Sequence, residues 1–492
     1  MPYSKEDSEI LLRHVTNLDK NVYALKNLPP EVVSVLFAYV SRSPASFRDN
    51  LLKLLREGEL LPKGSFTEAT DYFASAQQKA SAFHEKWVVG FGHNSVAEHA
   101  VCNLALENVS ILASKAIEDV RLAAFTEKST RYQLFDRTKY LKPEKIMRSK
   151  HGVEYECIMN SLFDFYVDST PKMLEFMKKK HPKPDSMNEK FYESLTKSRA
   201  CDVLRYALPA STLTNIGMTA NARSLEHAII KLSSHPLEEM QSLGAQIKEE
   251  CSKILPSLLK AAKKSDYIAS TEERMLSFSK KYSLKAENRK EVELVVSDKN
   301  PEAKLVASII YRYSSHSFAQ CLKQAEKMPD NEKEKIIDEF TNGIGKEQPL
   351  REFEHPYFTF DILVDFGAFR DIQRHRMCTQ TTQLLSTDHG YSIPQEIIEC
   401  GLKKEFEKCM SSAKELFDSM RQEMPFEAQY CVPLAFKKRV LFTWNLRELW
   451  HFIKLRSSRA GHESYRKIAQ QCYAELKEKH PLLAKYLSVD LS

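Results

Sequence analysis

The chain has 492 residues, 42% of them hydrophobic and 28% charged, enough for two or three domains with separate cores. With 72 basic against 66 acidic side chains the formal charge is only +6, too even for a dedicated nucleic-acid binder. No apolar run approaches the roughly 18–20 residues that cross a bilayer. The start, Met1-Pro2-Tyr3-Ser4-Lys5-Glu6-Asp7, has no signal-peptide core, so a cytoplasmic protein is expected. The ten cysteines form no C-x-x-C pair, which argues against structural zinc and against a disulfide framework. The densest basic cluster, Lys178-Lys179-Lys180-His181-Pro182-Lys183, reads as a solvated helix end.

In chain order, the first landmark is Gly92-His93-Asn94-Ser95-Val96-Ala97-Glu98-His99, read as the lead-in to a strand. Cys102, Leu104 and Leu106 alternate with Asn103, Ala105 and Glu107, the period of a half-buried strand, and a helix-like stretch follows as far as Arg121. The loop Glu127-Lys128-Ser129-Thr130-Arg131-Tyr132 then groups an acid, a hydroxyl and a guanidinium, which suits a nucleotide's phosphate and ribose. Ala207-Leu208-Pro209 precedes, by about a dozen residues, Asn221-Ala222-Arg223-Ser224-Leu225-Glu226-His227, which reads as an Asn cap opening an amphipathic helix. A charged stretch at 276–303 is the natural linker.

Beyond it the landmarks return. Glu352-Phe353-Glu354-His355 matches the first lead-in. Phe358, Phe360, Ile362 and Val364 alternate with Thr359, Asp361 and Asp365, before a helix-like stretch that ends in Arg374-His375-Arg376. Cys431-Val432-Pro433 and Asn445-Leu446-Arg447-Glu448-Leu449-Trp450-His451 repeat the later pair. The offsets are 354 − 98 = 256 and 445 − 221 = 224, so the first copy carries about 256 − 224 = 32 extra residues, around 145–195. A repeat of this length predicts two tandem α/β domains, 1–275 and 304–492, joined by the 276–303 linker.

A basic triplet such as Arg374-His375-Arg376 forks onto anionic oxygens, although alone it reads more readily as a surface charge cluster. Its company changes that reading. Arg447 and His451, four apart, share a helix face, whereas Arg456 lies about 140° further round from His451 and is expected to face something else. Glu98 and His99, adjacent on a strand, point to opposite faces, and no third ligand stands at a usual spacing, so no metal site is expected. Nucleophile-elbow, G-x-G-x-x-G and phosphate-loop sequences are missing.

Together these residues resemble the flavin-dependent thymidylate synthase family. Its signature R-H-R-x-x-S-x-N-x-x-S-x-R-Y is preceded by G-H-x-[ST]-x-x-E-H and followed by N-x-R-x-x-x-[HN]-x-x-x-x-R. The resemblance covers both halves, and neither half carries the whole signature. The first copy has Asp119-Val120-Arg121 at R-H-R, then Ala124 and Thr126, but keeps Glu127, Ser129, Arg131 and Tyr132. The second keeps R-H-R and continues Thr379, Thr381, Thr382, Leu384, Ser386, Thr387, without the nucleotide loop. Three residues before Arg374, where the family usually has Gln, stands Asp371.

The resemblance implies an α/β (α+β) fold of two tandem domains, each a central sheet flanked by helices, and it makes the losses complementary. In the family the deoxyuridylate (dUMP) site is shared between subunits. The second copy keeps one contribution, Arg374 and Arg456, where the first has Asp119 and Leu232 or Ser233. The first copy keeps the other, Glu127, Ser129, Arg131 and Arg205, where the second has Gln429 in place of Arg205. A composite site between the two copies would keep every group.

The implied activity is reductive methylation of dUMP to dTMP, using methylenetetrahydrofolate and NADPH through FAD, without a cysteine nucleophile. The implied dUMP contacts are Arg374, Glu127, Ser129, Arg131, Arg205 and Arg456, and Arg456 is also the catalytic group that stabilises the uracil anion. The implied FAD contacts are Ser95, Glu127, Arg374, His375, Arg376, Asn445, Arg447 and His451. Asn221, Arg223 and His227 either bind flavin or only preserve the helix cap and packing. Because the family is a homotetramer, a homodimer of this chain, equivalent to a four-domain pseudo-tetramer, is implied. Two alternatives stand beside this reading: a non-catalytic flavin or nucleotide binder derived from the family, and a flavoenzyme acting on another uracil substrate.

Overall fold

The computed structural model describes residues 3–40, 43–56, 94–279, 281–282, 290–459 and 461–492. Gly92 and His93 of the first landmark lie outside them. Helix and sheet are mixed in two compact units that alternate along the sequence. Unit one takes 1–109, 116–127 and 214–283; unit two takes 110–115, 128–213 and 284–492.

Unit one holds a three-stranded sheet in the order β1-β3-β2, with β1 at Val101–Ser110, β2 at Ala123–Glu127 and β3 at Leu213–Asn221. Strands β2 and β3 run antiparallel, pairing Phe125 with Met218. Asn221 caps the helix Ala222–Ser233 as expected, its side chain accepting from Ser224 N at 2.8 Å. A cap of this kind contributes about 1 kcal/mol. Helices Lys5–His14, Pro30–Val40 and Phe47–Arg56 close over Leu11, Val35, Leu36, Leu51 and Leu54.

One expectation fails here: residues Asn94–His99 form a 3-10 turn, not part of a strand. Ala97 and Ala100 are both buried, and their spacing of three matches three residues per turn, not the alternation of a strand. The turn turns Glu98 toward Arg223 Nη1 at 2.6 Å and sets the His99 ring edge-on to Phe37, with centroids 4.7 Å apart.

Unit two holds a four-stranded sheet in the order β4-β5-β7-β6: β4 Val292–Ser297, β5 Tyr357–Asp365, β6 Thr379–Thr382 and β7 Lys437–Asn445. Phe358, Phe360, Ile362 and Val364 are all buried, as the alternation requires. Phe360 pairs with Phe442 and Phe358 with Trp444. The Trp444 ring stacks on Phe442 at 4.6 Å and on Phe452 at 4.7 Å. Strand β4 lies inside the charged stretch expected to be a linker. Val292 and Leu294 alternate with glutamates and are buried against Ile362 and Phe360, so the period outweighs the charge.

The repeat is visible inside unit two as a two-fold hydrogen-bond pattern. Ala210 N donates to Val432 O and Leu434 N to Leu208 O, both at 2.9 Å. Ser211 N donates to Tyr430 O and Ala435 N to Tyr206 O, both at 3.0 Å. Each bond maps onto its partner when the copies are exchanged, which is the signature of an isologous contact. Pro209 and Pro433 face one another at its centre. Helices Gly152–Lys180 and Lys403–Met420 pack on each other beside it, with the rings of Phe165 and Phe406 5.8 Å apart.

The extra residues of the first copy are mostly helical. Leu141 N donates to Ser211 O and Ser392 N to Ala435 O, giving offsets of 392 − 141 = 251 and 435 − 211 = 224. Of the 32 extra residues, 251 − 224 = 27 therefore fall between 141 and 211. They are the last third of the 152–180 helix, the 181–188 connection and the first half of the helix Glu189–Leu204. No described helix is long and apolar enough to cross a membrane.

Candidate functional site

Helix Phe366–Ile372 begins where Asp365 Oδ1 accepts from Ala368 N at 2.7 Å, and it delivers Arg374-His375-Arg376 at its end. Asp371 and Arg374, three apart, share a face. Arg374 is half exposed, whereas Asp371 is only 6% exposed.

Asp371 draws together arginines from both copies. Its Oδ2 lies 3.6 Å from Arg205 Nη2 and its Oδ1 4.0 Å from Arg374 Nη1. Burial opposes the charge on its carboxyl, but Arg205, Arg374, Arg456 and Arg131 outweigh it and hold the group below its ordinary pKa. Arg205, 2% exposed, also meets Asp202 Oδ1 at 3.1 Å, and Asp202 Oδ2 meets Arg131 Nη2 at 3.0 Å. Burial works against both guanidiniums, yet the facing carboxylates raise their pKa, so they stay charged. The contacts are close but poorly aligned. Among the described residues, Arg131 Nε, Arg205 Nε and Nη2, Asp202 Oδ1 and Asp371 Oδ2 are buried without a hydrogen-bond partner. Asp202 also borders a cavity of about 580 Å³ walled by Arg199, Tyr206 and His462.

His375, 5% exposed, links the triplet to the helix Leu446–Arg456. Its Nδ1 is 2.9 Å from Glu448 Oε1, and its Nε2 accepts from Arg456 Nε at 3.0 Å. Burial, with the charge of Arg456, pushes the imidazole pKa down against the pull of Glu448. The ring is therefore neutral, with its proton on Nδ1 donated to Glu448. Arg456 is held at Nε, its pKa lowered by burial, and its guanidinium lies over the Tyr465 ring at 5.4 Å. No carboxylate ion-pairs with Arg456 among the described residues. His451 and Arg456 were expected to face different neighbours. Instead both reach His375, whose ring lies 5.4 Å from that of His451 and whose Nε2 accepts from Arg456 Nε.

The remaining expected residues have these places. Ser129 Oγ accepts from Arg131 N at 3.1 Å and shapes the loop. Arg376 is half-buried. Asn445 accepts from Glu448 N at 2.8 Å, as a cap. Arg447 donates to Glu354 at 2.9 Å and to Pro349 O at 2.7 Å, a pairing that recurs in unit one as Arg223 with Glu98. Ser95 is exposed on the 94–99 turn and Glu127 ends β2, both in unit one.

Asp202, Thr130, Glu448 and Tyr465 were missed by sequence reasoning. Asp202 precedes Arg205 by three on a helix, a legible pairing, and Glu448 stands three after the Asn445 cap. Thr130 Oγ1 lies 3.5 Å from Arg205 Nη1 and 3.3 Å from Arg370 Nη1. Tyr465, whose hydroxyl lies 3.4 Å from Arg131 Nη1, carries no local signal. The degenerate counterparts are engaged in ordinary structure. Gln429 Oε1 accepts from Leu385 N at 3.0 Å, and Asp119 pairs with Lys231 at 2.9 Å.

Two related halves, joined about a two-fold contact, define a tandem protein in which both copies contribute arginines to one buried cluster. The family model for thymidylate synthase complementing protein matches the chain twice, at residues 57–257 and 293–482, and the chain belongs to that family. A UPF0159 protein of Chlamydia muridarum is 36% identical over 510 residues, covering 100% of this chain and 96% of its own length. A flavin-dependent thymidylate synthase of Thermococcus onnurineus is 27% identical over 158 residues, 32% of this chain and 56% of its own. The crystal structure of the flavin-dependent thymidylate synthase ThyX from Helicobacter pylori, complexed with FAD and dUMP, is 18% identical. It covers 41% of this chain and 100% of its own, with a TM-score of 0.30, too loose a likeness to align sites.

Proposed function

We propose that this chain is a flavin-dependent thymidylate synthase, methylating dUMP to dTMP with methylenetetrahydrofolate and NADPH through FAD. One observation supports the reading above all: the Asp371 carboxylate gathers Arg131 and Arg205 of the first copy with Arg374 and Arg456 of the second.

The residues present fit an anionic nucleotide. Four guanidiniums share two carboxylates, Asp202 and Asp371, and Arg131 and Arg205 hold buried donors without partners. In this reading Arg131, Arg205 and Arg374 grip the phosphate, with the Ser129 loop on the ribose side. Arg456 is the group for the uracil ring. It is fixed at Nε by neutral His375 and, although it feels the Asp371 charge, no carboxylate among the described residues ion-pairs with it, so its fork is available to an anion developing on the ring. Glu448 keeps the His375 proton on Nδ1 and thereby keeps Nε2 an acceptor for Arg456. Burial strengthens these interactions, because little water competes for them. Arg374, Arg376 and His451 would hold FAD, whose reduced form supplies the reducing equivalents that complete the methyl group.

Rescue of a thymidine-requiring bacterial strain, with an FAD absorbance titration of the purified protein, tests the proposal. Growth without thymidine and saturable FAD binding are expected. Saturable FAD and dUMP binding without rescue or turnover would favour the non-catalytic binder. No saturable binding at micromolar FAD would overturn the cofactor assignment and the activity with it.

A further inference from the structure

We infer that Asp371 is a specificity-determining residue that accepts a hydrogen bond from an O–H group of the bound nucleotide. The inference rests on the nucleotide reading above and adds what the ligand must carry.

Three observations lead to it. First, Asp371 Oδ2 is buried without a hydrogen-bond partner among the described residues, at the centre of the arginine cluster. Arg205 faces it from the 205–207 turn, Arg131 from the loop after β2, Arg456 from the 446–456 helix and Arg374 from its own segment. These guanidiniums, against the effect of burial, keep the group ionised, so it can only accept. Second, the arginines attract an oxyanion to the same place. Two ionised oxygens cannot come within hydrogen-bond distance without strong repulsion, so a proton must lie between them. Third, the acid travels with the arginine it faces. The hydrogen bonds Ile111 N to Thr212 O and Phe366 N to Phe436 O are equivalent, which gives an offset of 366 − 111 = 255. On that offset Asp371 corresponds to Ala116 and Arg374 to Asp119, so the copy that lacks the arginine also lacks the acid.

The ligand hydroxyl has two sources. One is a phosphomonoester carrying its last proton, whose pKa is near 6. The other is a sugar hydroxyl. Equilibrium titration of the full-length protein with dUMP and with 2′,3′-dideoxyuridylate, between pH 5.5 and 8.5, separates them. If the sugar is the source, the dideoxy nucleotide binds on the order of 10- to 100-fold more weakly at every pH. If the phosphate proton is the source, both nucleotides lose about tenfold per pH unit above its pKa. In either case Asp371→Ala, which leaves no acceptor, abolishes the dependence. Wild-type affinity indifferent to both changes, or an Asp371→Ala protein that keeps the wild-type pattern, overturns the inference. Should Asp371→Ala fail to fold, as judged by circular dichroism, Asp371→Glu keeps the charge but displaces the oxygen. That variant must weaken dUMP about tenfold or more, and unchanged affinity overturns the inference equally. Wild-type protein that binds no dUMP at all sinks the nucleotide reading first and this inference with it.

Discussion

Replacing Arg456 with lysine keeps a positive charge but removes the atom that holds it in place. Arg456 Nε donates to His375 Nε2 at 3.0 Å, and a lysine has no donor at that point of the chain. Two interactions are lost: the bond that orients the side chain and, on the proposed function, the planar fork offered to the uracil ring. A hydrogen bond involving a charged group contributes about 1.5–3 kcal/mol, so kcat/KM for dUMP should fall roughly 10- to 150-fold if only one is lost. The fall should be larger if both fail together. FAD binding should survive, because Arg374, Arg376 and His451 are untouched. The assay is dTMP formation with purified, FAD-loaded protein, alongside the absorbance titration of FAD. Turnover within twofold of wild type in a folded Arg456→Lys protein would show that Arg456 is only a helix-end charge, and the catalytic assignment would fall.

If the proposed site is composite, Arg131→Ala and Arg374→Ala should each abolish dTMP formation, while Ser386→Ala and Asp119→Ala at the degenerate positions should change it little. Titration should find one dUMP per chain, and two equivalent dUMP per chain would refute the composite site. A stability prediction concerns Glu31, fully buried, whose Oε1 accepts from Ser257 Oγ at 2.9 Å and Ser257 N at 3.2 Å. Burial pushes its carboxyl up from 4.5 to about 7. Because the folded pKa is the higher one, the stabilisation is complete below about pH 4.5 and is lost as pH rises through 7. The shift of 7 − 4.5 = 2.5 units corresponds to about 3 kcal/mol. Denaturant melts of wild type should weaken by that order between pH 5 and 8, and Glu31→Gln should flatten the profile; parallel profiles for the two proteins would refute it.

Much of the architecture was legible because it is written in local periods and caps. The alternation of Phe358, Phe360, Ile362 and Val364 reports one buried face wherever the strand ends up, and all four are buried. Asn221 and Asn445 announce helix starts because a cap needs only its own next three residues, and both caps form. The repeat itself needed no coordinates. Local pattern misled where two periods compete. Ala97 and Ala100, spaced by three, made a 3-10 turn of the expected strand lead-in. In the supposed linker the alternation of Val292 and Leu294 prevailed over the glutamates between them, because β5 offered an edge to pair with.

The sequence by itself determined the family resemblance, the two copies, and which arginines each had kept, since those are matters of residue identity at fixed spacing. Only the tertiary structure decided how those arginines are used. Asp202 comes from the helix Glu189–Leu204 and Tyr465 from a helix near the end of the chain, and nothing local tells that both meet Arg131. That Asp371 is the shared counter-ion of both copies depends on Arg205 standing 3.6 Å away, although the two lie 371 − 205 = 166 residues apart along the chain. Ionic and hydrogen-bonding partners fall off within a few ångströms, and no local period reports which distant residues will arrive inside that distance. The two-fold contact from Tyr206 to Thr212 against Tyr430 to Phe436 sets that distance, by bringing each copy's proline turn against the other's.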